Sequence, residues 1–197
     1  MLISIVNVMK NETTKQRILN AAVVLFAKEG YEAVSVEQIA KAVGIKAPSL
    51  YKHYKSKRDI FDHIIQQMEQ QDTENATNCS LPEGTIQTMP EAYKKFSIKD
   101  LIAFCKQQFH YWTEDEFASS FRKMLTVEQY RSREMNALYH QYLGSGPLQY
   151  VADLLGSQAK ALSFYGPMYL LYSVYDNADD KETVFTMLNN HLKKWHK

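Results

Sequence analysis

The sequence predicts an all-α chain in two parts, a three-helix unit at the N-terminal end and a larger helical body behind it. Three observations carry that expectation. Apolar residues recur at three- and four-residue spacing, with no sustained alternation of the kind a strand needs. The seven Gly and five Pro fall mostly where helices should end. Charge is divided unevenly: from Lys10 to Arg58 ten Lys/Arg face four Glu, a net of +6, while the other 13 basic and 18 acidic residues give −5. Such asymmetry suits one segment that meets a polyanion and another that does not. At 197 residues the chain is long enough to bury a core without disulfides or metals.

The leading MLISIVNVM is apolar but has no basic lead and no cleavage site, and Lys10 ends it well short of a membrane-spanning length. Residues 1–12 read as an N-terminal extension, neither signal peptide nor anchor, with Met9 as an alternative native start. Thr13 caps the first helix in TTKQ, and Gln16 is expected to return a bond to the cap backbone. Ile18, Ala22, Leu25 and Phe26 then share one apolar face, which Gly30 brings to a stop. Ser35 and Gln38 repeat the reciprocal cap in SVEQ, ahead of Ile39, Ala40 and Val43. Ser56 and Asp59 open a further helix in SKRD, which continues through Phe61, Ile64, Ile65 and Met68. Residues 71–90, rich in Asn, Thr, Gly and Pro, read as a loop. Periodicity returns over about 98–113, 116–143, 147–155, 160–175 and 180–195, with a break at GSGP, 144–147. The boundaries expected from this pattern are 13–58 for the first unit and 59–197 for the second.

The most informative stretch is VEQIAKAVGIKAPSLYKHYKSK, from Val36 to Lys57. A helix-turn-helix needs a small residue where its two helices cross, a turn residue that tolerates positive φ, and an apolar anchor on the second helix. Ala40, Gly44 and Leu50 answer those needs, and Ile39, Val43 and Ile45 complete the small core. Pro48 fits the first turn of the second helix, where a backbone N–H is not yet required. Lys46, Ala47, Ser49 and Lys52 would face outward near the helix start, a position suited to a phosphate or a base edge. Lys46 could bond a guanine, and Ala47 or Pro48 could touch a thymine methyl. Tyr51, His53 and Lys57 flank the same surface and could hold the sugar–phosphate backbone.

At these residues the chain resembles the tetracycline-repressor (TetR/AcrR) family of regulators. The likeness runs from about Thr13 to Ile65, through LFAKEGYEAVSVEQIA, the turn AVGI, the helix start KAPSLYKHYKSK and the continuation RDIFDHII. By that resemblance Tyr51 and Lys57 match the family's phosphate-contacting Tyr and Lys. Ser35 and His53 fall at its other backbone contacts, and Lys46, Ala47, Ser49 and Lys52 at its variable base-reading positions. The resemblance implies an N-terminal helix-turn-helix DNA-binding domain followed by a helical regulatory and dimerisation domain. It also implies a homodimer, paired through the last two helices over about 160–195. Leu162, Tyr165, Tyr169 and Tyr172 offer an apolar face on one of them, and Val184, Phe185, Leu188, His191, Leu192 and Trp195 on the other.

The body carries no motif of its own. Phe104, Phe109, Trp112, Phe121, Met124, Tyr130, Tyr139, Phe164 and Met168 are candidates for the lining of an apolar ligand pocket, although core packing uses the same residue types. His110, Glu114, Asp115 and Glu116 read as a solvated helix end rather than a metal site. Cys79 and Cys105 form no C-x-x-C, so no disulfide framework, metal or cofactor is expected, and a reduced, cytoplasmic setting fits. There is no G-x-S-x-G, no H-E-x-x-H and no glycine loop for phosphates, hence no catalytic residues and no enzyme reading of substance. The leading expectation is a repressor that binds a palindromic double-stranded operator as a dimer and is released by a small apolar or amphipathic effector. An effector-independent DNA-binding architectural protein is the alternative.

Overall fold

The computed structural model describes residues 12–78 and 97–195, together with Glu91 and Lys95, and every regular element among them is helical. The first unit comprises α1 (Thr14–Glu29), α2 (Val36–Val43), α3 (Ala47–Leu50) and the start of α4 (Lys57–Asn78). The body follows as α5 (Ile98–Glu114), α6 (Glu116–Glu128), α7 (Arg133–Tyr142), α8 (Ser145–Leu155), α9 (Gln158–Asn177) and α10 (Lys181–Lys193).

The caps explain where the early helices begin. Ser35 and Gln38 form the full reciprocal box, at 3.2 Å from the Gln38 N–H to Ser35 Oγ and 2.7 Å from the Ser35 N–H to Gln38 Oε1. Thr13 Oγ1 accepts from the Gln16 N–H at 3.2 Å, but the Gln16 side chain does not return the bond. Its amide donates instead to Asn20 and, across to α4, to Gln67, each at 2.9 Å. At the third start Ser56 Oγ accepts from the Asp59 N–H at 3.0 Å, whereas the Asp59 carboxylate reaches past the cap to the Lys55 N–H at 2.7 Å.

Two boundaries differ from the sequence expectation. Helix α4 continues through Gln71 to Asn78, where a loop was expected, because side-chain bonds carry it on: Gln70 to Glu74 at 3.0 Å along the helix, and Tyr111 Oη to Gln71 Oε1 at 2.9 Å from α5. The rest of that expected loop, 79–90, and Cys79 with it, lies outside the described residues. The span 116–143, expected as one helix, is α6 and α7 with a turn between. Ser132 caps the new start, accepting from the Met135 N–H at 3.1 Å. The break expected over 144–147 is shorter: only Leu143 and Gly144 separate α7 from α8, and Ser145, Gly146 and Pro147 form the first turn of α8.

Helix α1 packs against α2, α4 and α6 together, so it joins the first unit to the body. Ile18, Ala22, Val23 and Phe26 of α1 are fully buried, as are Ile39, Leu50, Ile60, Phe61 and Ile64. In the body, α9 packs against α5, α8 and α10. Tyr165 and Tyr172 turn into this intrachain core, and so do Val184, Phe185, Leu188 and Leu192. His191 and Trp195 pack on Phe164 from the end of α10. The apolar faces named from the sequence for a partner are therefore largely spent within the chain. What remains exposed is Leu162 and Tyr169 of the named face, joined by Leu170 and Val174 on α9 and Met187 on α10.

One buried charge organises the body. Arg122 of α6 is almost wholly enclosed, donates from Nε to the Trp112 carbonyl at 2.9 Å, and grips both oxygens of Asp176 on α9 at 2.9 and 2.7 Å. Its guanidinium also lies over the Tyr172 ring, 5.2 Å from the centroid. Breaking such a pair from one side leaves a desolvated charge. Asp176→Ala is therefore expected to cost about 3 kcal/mol, read as a lower urea midpoint at unchanged slope. A change under 1 kcal/mol, roughly the worth of an exposed pair, would mean that solvent reaches Arg122.

Candidate nucleic-acid interface

The surface named from the sequence is built by a short, locally determined unit. Helix α2 ends at Gly44, whose backbone is left-handed with φ +76° and ψ +29°. The Gly44 N–H bonds to the Lys41 carbonyl at 3.1 Å and the Ile45 N–H to the Ala40 carbonyl at 3.0 Å, closing the last turn. Arg17 of α1 takes the freed Val43 carbonyl at 2.7 Å. The chain then enters α3, with Pro48 in its first turn as expected. Leu50 and Tyr54 pin α3 from below, both buried, and the Tyr54 hydroxyl donates to the Lys15 carbonyl at 3.2 Å. Burial, with Asp59 nearby, pushes that hydroxyl up to about 12, so it stays a proton donor at any ordinary pH.

With Leu50 and Tyr54 turned inward, Lys46, Pro48, Tyr51, Lys52 and His53 stand exposed on the other side, and Ala47, Ser49 and Ser35 are half-buried beside them. Lys57 differs from the rest. Its ammonium bonds to the carbonyls of Tyr31 at 2.8 Å and Glu32 at 3.3 Å, and sits 4.5 Å from the centroid of the Tyr31 ring. Arg58, one residue on, was not singled out from the sequence. It forks onto Glu134 of α7 at 2.6 and 2.7 Å and onto Asp62 at 2.7 Å, and those hydrogen bonds hold the Glu134 carboxyl below its ordinary range.

The pocket candidates divide. Phe109 stacks on Tyr172 at 5.1 Å and meets Phe185 edge-on, Phe164 packs on Trp195, and Phe121, Met124, Met168 and Trp112 are buried with them, with Phe104 at the margin. Tyr139 meets Tyr169 hydroxyl to hydroxyl. Tyr130 must be removed from the set: it is 86% exposed, in the turn that separates α6 from α7, and lines nothing apolar. A residue that the sequence did not single out, Tyr142, packs on Phe121 and Trp112 in its place. A cleft of about 450 Å³ opens elsewhere, between α1 and α4, walled largely by amides such as Gln16, Gln66, Gln67 and Gln70. His110 and Glu114 pair at 3.1 Å on the surface of α5, and among the described residues no group of three or more His, Cys, Asp or Glu could hold a metal. No helix of the described residues is long and apolar enough to cross a membrane.

A small helix-turn-helix carried on an all-helical body is the class that this geometry defines. Residues 18–64 match the family described as "Bacterial regulatory proteins, tetR family". The chain is 39% identical over 51 residues to the biofilm operon icaADBC HTH-type negative transcriptional regulator IcaR of Staphylococcus aureus, covering 26% of this chain and 27% of that one. It is 40% identical over 53 residues to the HTH-type transcriptional regulator AcrR of Shigella flexneri, covering 27% and 25%. Its fold is similar to that of Mycobacterium smegmatis AmtR, with a TM-score of 0.64 and 17% identity over 93% of this chain and 86% of that one. Over its N-terminal helices the chain is similar to the TetR family of bacterial regulatory proteins. The matched segment spans about a quarter of the curated relatives' length.

A Cβ built on Gly44 would meet nothing within 4 Å, so only the left-handed backbone restricts that position. Gly44→Val is expected to lose about 1–3 kcal/mol of stability from that strain, and Gly44→Asn distinctly less, since Asn visits this region readily. Urea unfolding of the two variants side by side checks it. Equal losses would show that bulk, not backbone, sets the turn.

Proposed function

We propose that this chain is a ligand-responsive transcriptional repressor of the reduced cytoplasm, which binds a palindromic double-stranded operator as a homodimer. The observation that carries the reading is the exposed run from Lys46 to His53, set on a short helix by a left-handed glycine within the most basic segment of the chain. Lys46, Ala47, Pro48, Ser49 and Lys52 read base edges in the major groove, while Ser35, Tyr51, His53 and Lys57 hold the backbone. Lys57 reaches a phosphate by exchanging its two carbonyl partners for it, a swap between hydrogen bonds of similar kind.

Two-fold operators match two-fold proteins, and one four-residue helix reads little sequence alone. The exposed apolar residues of α9 and α10 supply the self-complementary surface. Leu162 and Leu170 are each more than 60% exposed in the single chain, far more than scattered apolar residues need be, and Tyr169, Val174 and Met187 extend the patch. An effector seated in the body would act through α4 and α7, which the Arg58–Glu134 fork ties together. The architectural alternative draws on the stacking of Phe109, Tyr172 and Phe185, which fills the α5, α9 and α10 contact with the chain's own rings. Against it stands the unsatisfied hydroxyl of Tyr142 in the same body.

The DNA roles separate in a salt titration of a labelled operator. Lys57→Ala is expected to weaken binding to every sequence and to lower the slope of log K against log salt by about one. Lys46→Ala should instead relax preference at one base per half-site, at about 1–3 kcal/mol. No salt-dependent binding to any double-stranded DNA would end the proposal. For the dimer, Leu162→Glu with Leu170→Glu should give a monomer by sedimentation that keeps its helical content, and an unchanged dimer would place the interface elsewhere.

A further inference from the structure

Helix α4 carries an amide run that belongs neither to the exposed surface from Lys46 to His53 nor to the core of the body. Four of the six residues from Gln66 to Gln71 are glutamines, and Gln66 with Gln70, and Gln67 with Gln71, lie one turn apart along the helix. A helix face that is only solvated is commonly laced with pairs of opposite charge instead. All four glutamines line the cleft of about 450 Å³ between α4 and the start of α1, a volume within the range of roughly 300–1,000 Å³ that small-molecule sites occupy. Gln16 of α1 lines it too, and its amide donates to Asn20 Oδ1 and, across the cleft, to Gln67 Oε1, each at 2.9 Å. Two of the lining residues, Leu19 and Tyr54, are buried and give the cleft an apolar part. The hydrogen-bonding groups left over on these walls are of both kinds. Among the described residues, Gln67 accepts from Gln16 and Gln71 accepts from the Tyr111 hydroxyl, and each leaves its N–H donors free. Gln16 and Gln70 donate, the latter to Glu74 at 3.0 Å, and leave their carbonyl oxygens free. His63 Nδ1 donates to the Asp59 carbonyl at 2.7 Å, so Nε2 of the neutral ring is a further acceptor.

We infer that this cleft binds a neutral polyhydroxylated molecule, a sugar of one or two rings, held between α1 and α4. A hydroxyl donates and accepts at once and turns to suit its neighbour, so a ligand with several of them matches a wall of mixed amide groups. Such a ligand replaces several first-shell waters together and reproduces their hydrogen bonds. A sugar ring also has C–H faces, which Leu19 and the Tyr54 ring suit. An anion finds no cluster of cations here. The ammonium of Lys15 lies over the Tyr54 ring, 5.3 Å from its centroid, His63 is bonded to Asp59, and the Glu74 carboxylate lines the same cleft. A mainly apolar molecule would strip water from the amides and give them nothing in return. The site is separate from the body, so the inference does not rest on an effector seated there.

The test uses the full chain with three probes, maltose, inorganic phosphate and hexanol, at equal millimolar concentration and neutral pH. Saturation-transfer NMR is expected to show maltose held through its ring C–H protons, and titration to give it an affinity at least about tenfold above that of either other probe. Gln66→Ala with Gln70→Ala, both exposed on α4, should weaken maltose about tenfold, as the loss of about two hydrogen bonds to the ligand predicts. The melting temperature of the free double variant should stay close to that of the parent, because neither side chain packs in the core. No measurable maltose binding, phosphate or hexanol bound as tightly as maltose, or a double variant that binds maltose undiminished would each overturn the assignment. Maltose binding is measured without operator, so a failure of the DNA-binding reading and a failure of this one are told apart.

Discussion

The rest of the structure depends on one buried carboxylate. Glu128, at the last turn of α6, is 2% exposed, and a desolvated charge of this kind persists only where partners replace its water. Its Oε1 takes the Tyr31 N–H at 3.1 Å and Arg131 Nη1 at 2.8 Å. The first partner belongs to the N-terminal unit and the second to the body, so the bond that satisfies the charge also joins the two. It leaves no space at the neighbouring residue. A Cβ on Gly30 would lie 2.6 Å from Arg131 Nη1 and 2.9 Å from Glu128 Oε1, and the backbone there has φ +88°. The conformation calls for glycine at this position, and a larger residue would also have to displace the Arg131 side-chain end.

Tyr31 extends that joint in three directions. Its N–H goes to the body, its carbonyl to Lys57, and its ring lies 5.1 Å from both Phe26 and Phe61. Phe26 lies in the last turn of α1 and Phe61 in the first apolar run of α4, so the loop after α1 is fixed by the helices that flank the exposed run from Lys46 to His53. The phenol is only half-buried, which lets Lys57 lie over it. Arg58 adds a second tie to the body through Glu134, although both groups are about half exposed and such pairs contribute little energy alone. Its value is geometric: it sets the first turn of α4 against α7. Because its folded-state pKa is lowered, Glu134 contributes at neutral pH, and its contribution fades only as pH falls through the carboxylate range.

What the sequence made legible was what depends on near neighbours. The Ser35–Gln38 box, the left-handed Gly44, the buried Leu50 and the exposed run beside it are all fixed within a few residues, and local chemistry determines each. The contacts that assemble the whole are long in sequence: Tyr31 to Glu128 spans 97 residues, Arg58 to Glu134 76, and Arg122 to Asp176 54. A lone Glu or Arg within an amphipathic helix reads as solvated surface, so nothing marked these as paired. The break after Glu128 was hidden for a related reason. It contains neither Gly nor Pro, and the residues at it, Glu128 and Arg131, bond to each other and to Tyr31 in another part of the chain. Tyr130 was misread as lining because its residue type suggested a core, while the turn that Glu128 imposes puts it outside. Even the Gln16 cap failed through a distant partner, Gln67, which offered its side chain a better bond than the cap backbone did.

The same distinction bears on how a signal could cross the molecule. A packed joint does not deform continuously; it holds or it changes to another discrete arrangement, and a ligand moves it only by the difference in its affinity for the two. Helix α4 is the one element that carries both ends of such a change. Its first turn holds Lys57 and Arg58 beside the exposed run from Lys46 to His53, and a later turn holds Gln71 against Tyr111 of the body. A ligand that displaced Tyr111 would therefore act on the helix whose other end, at Lys57, bonds to Tyr31. Reciprocity then requires that DNA held at the first end alter affinity at the second by the same factor. The exposed faces of α9 and α10 lie on different elements from both, so a partner copy could dock there without occupying either end of the lever.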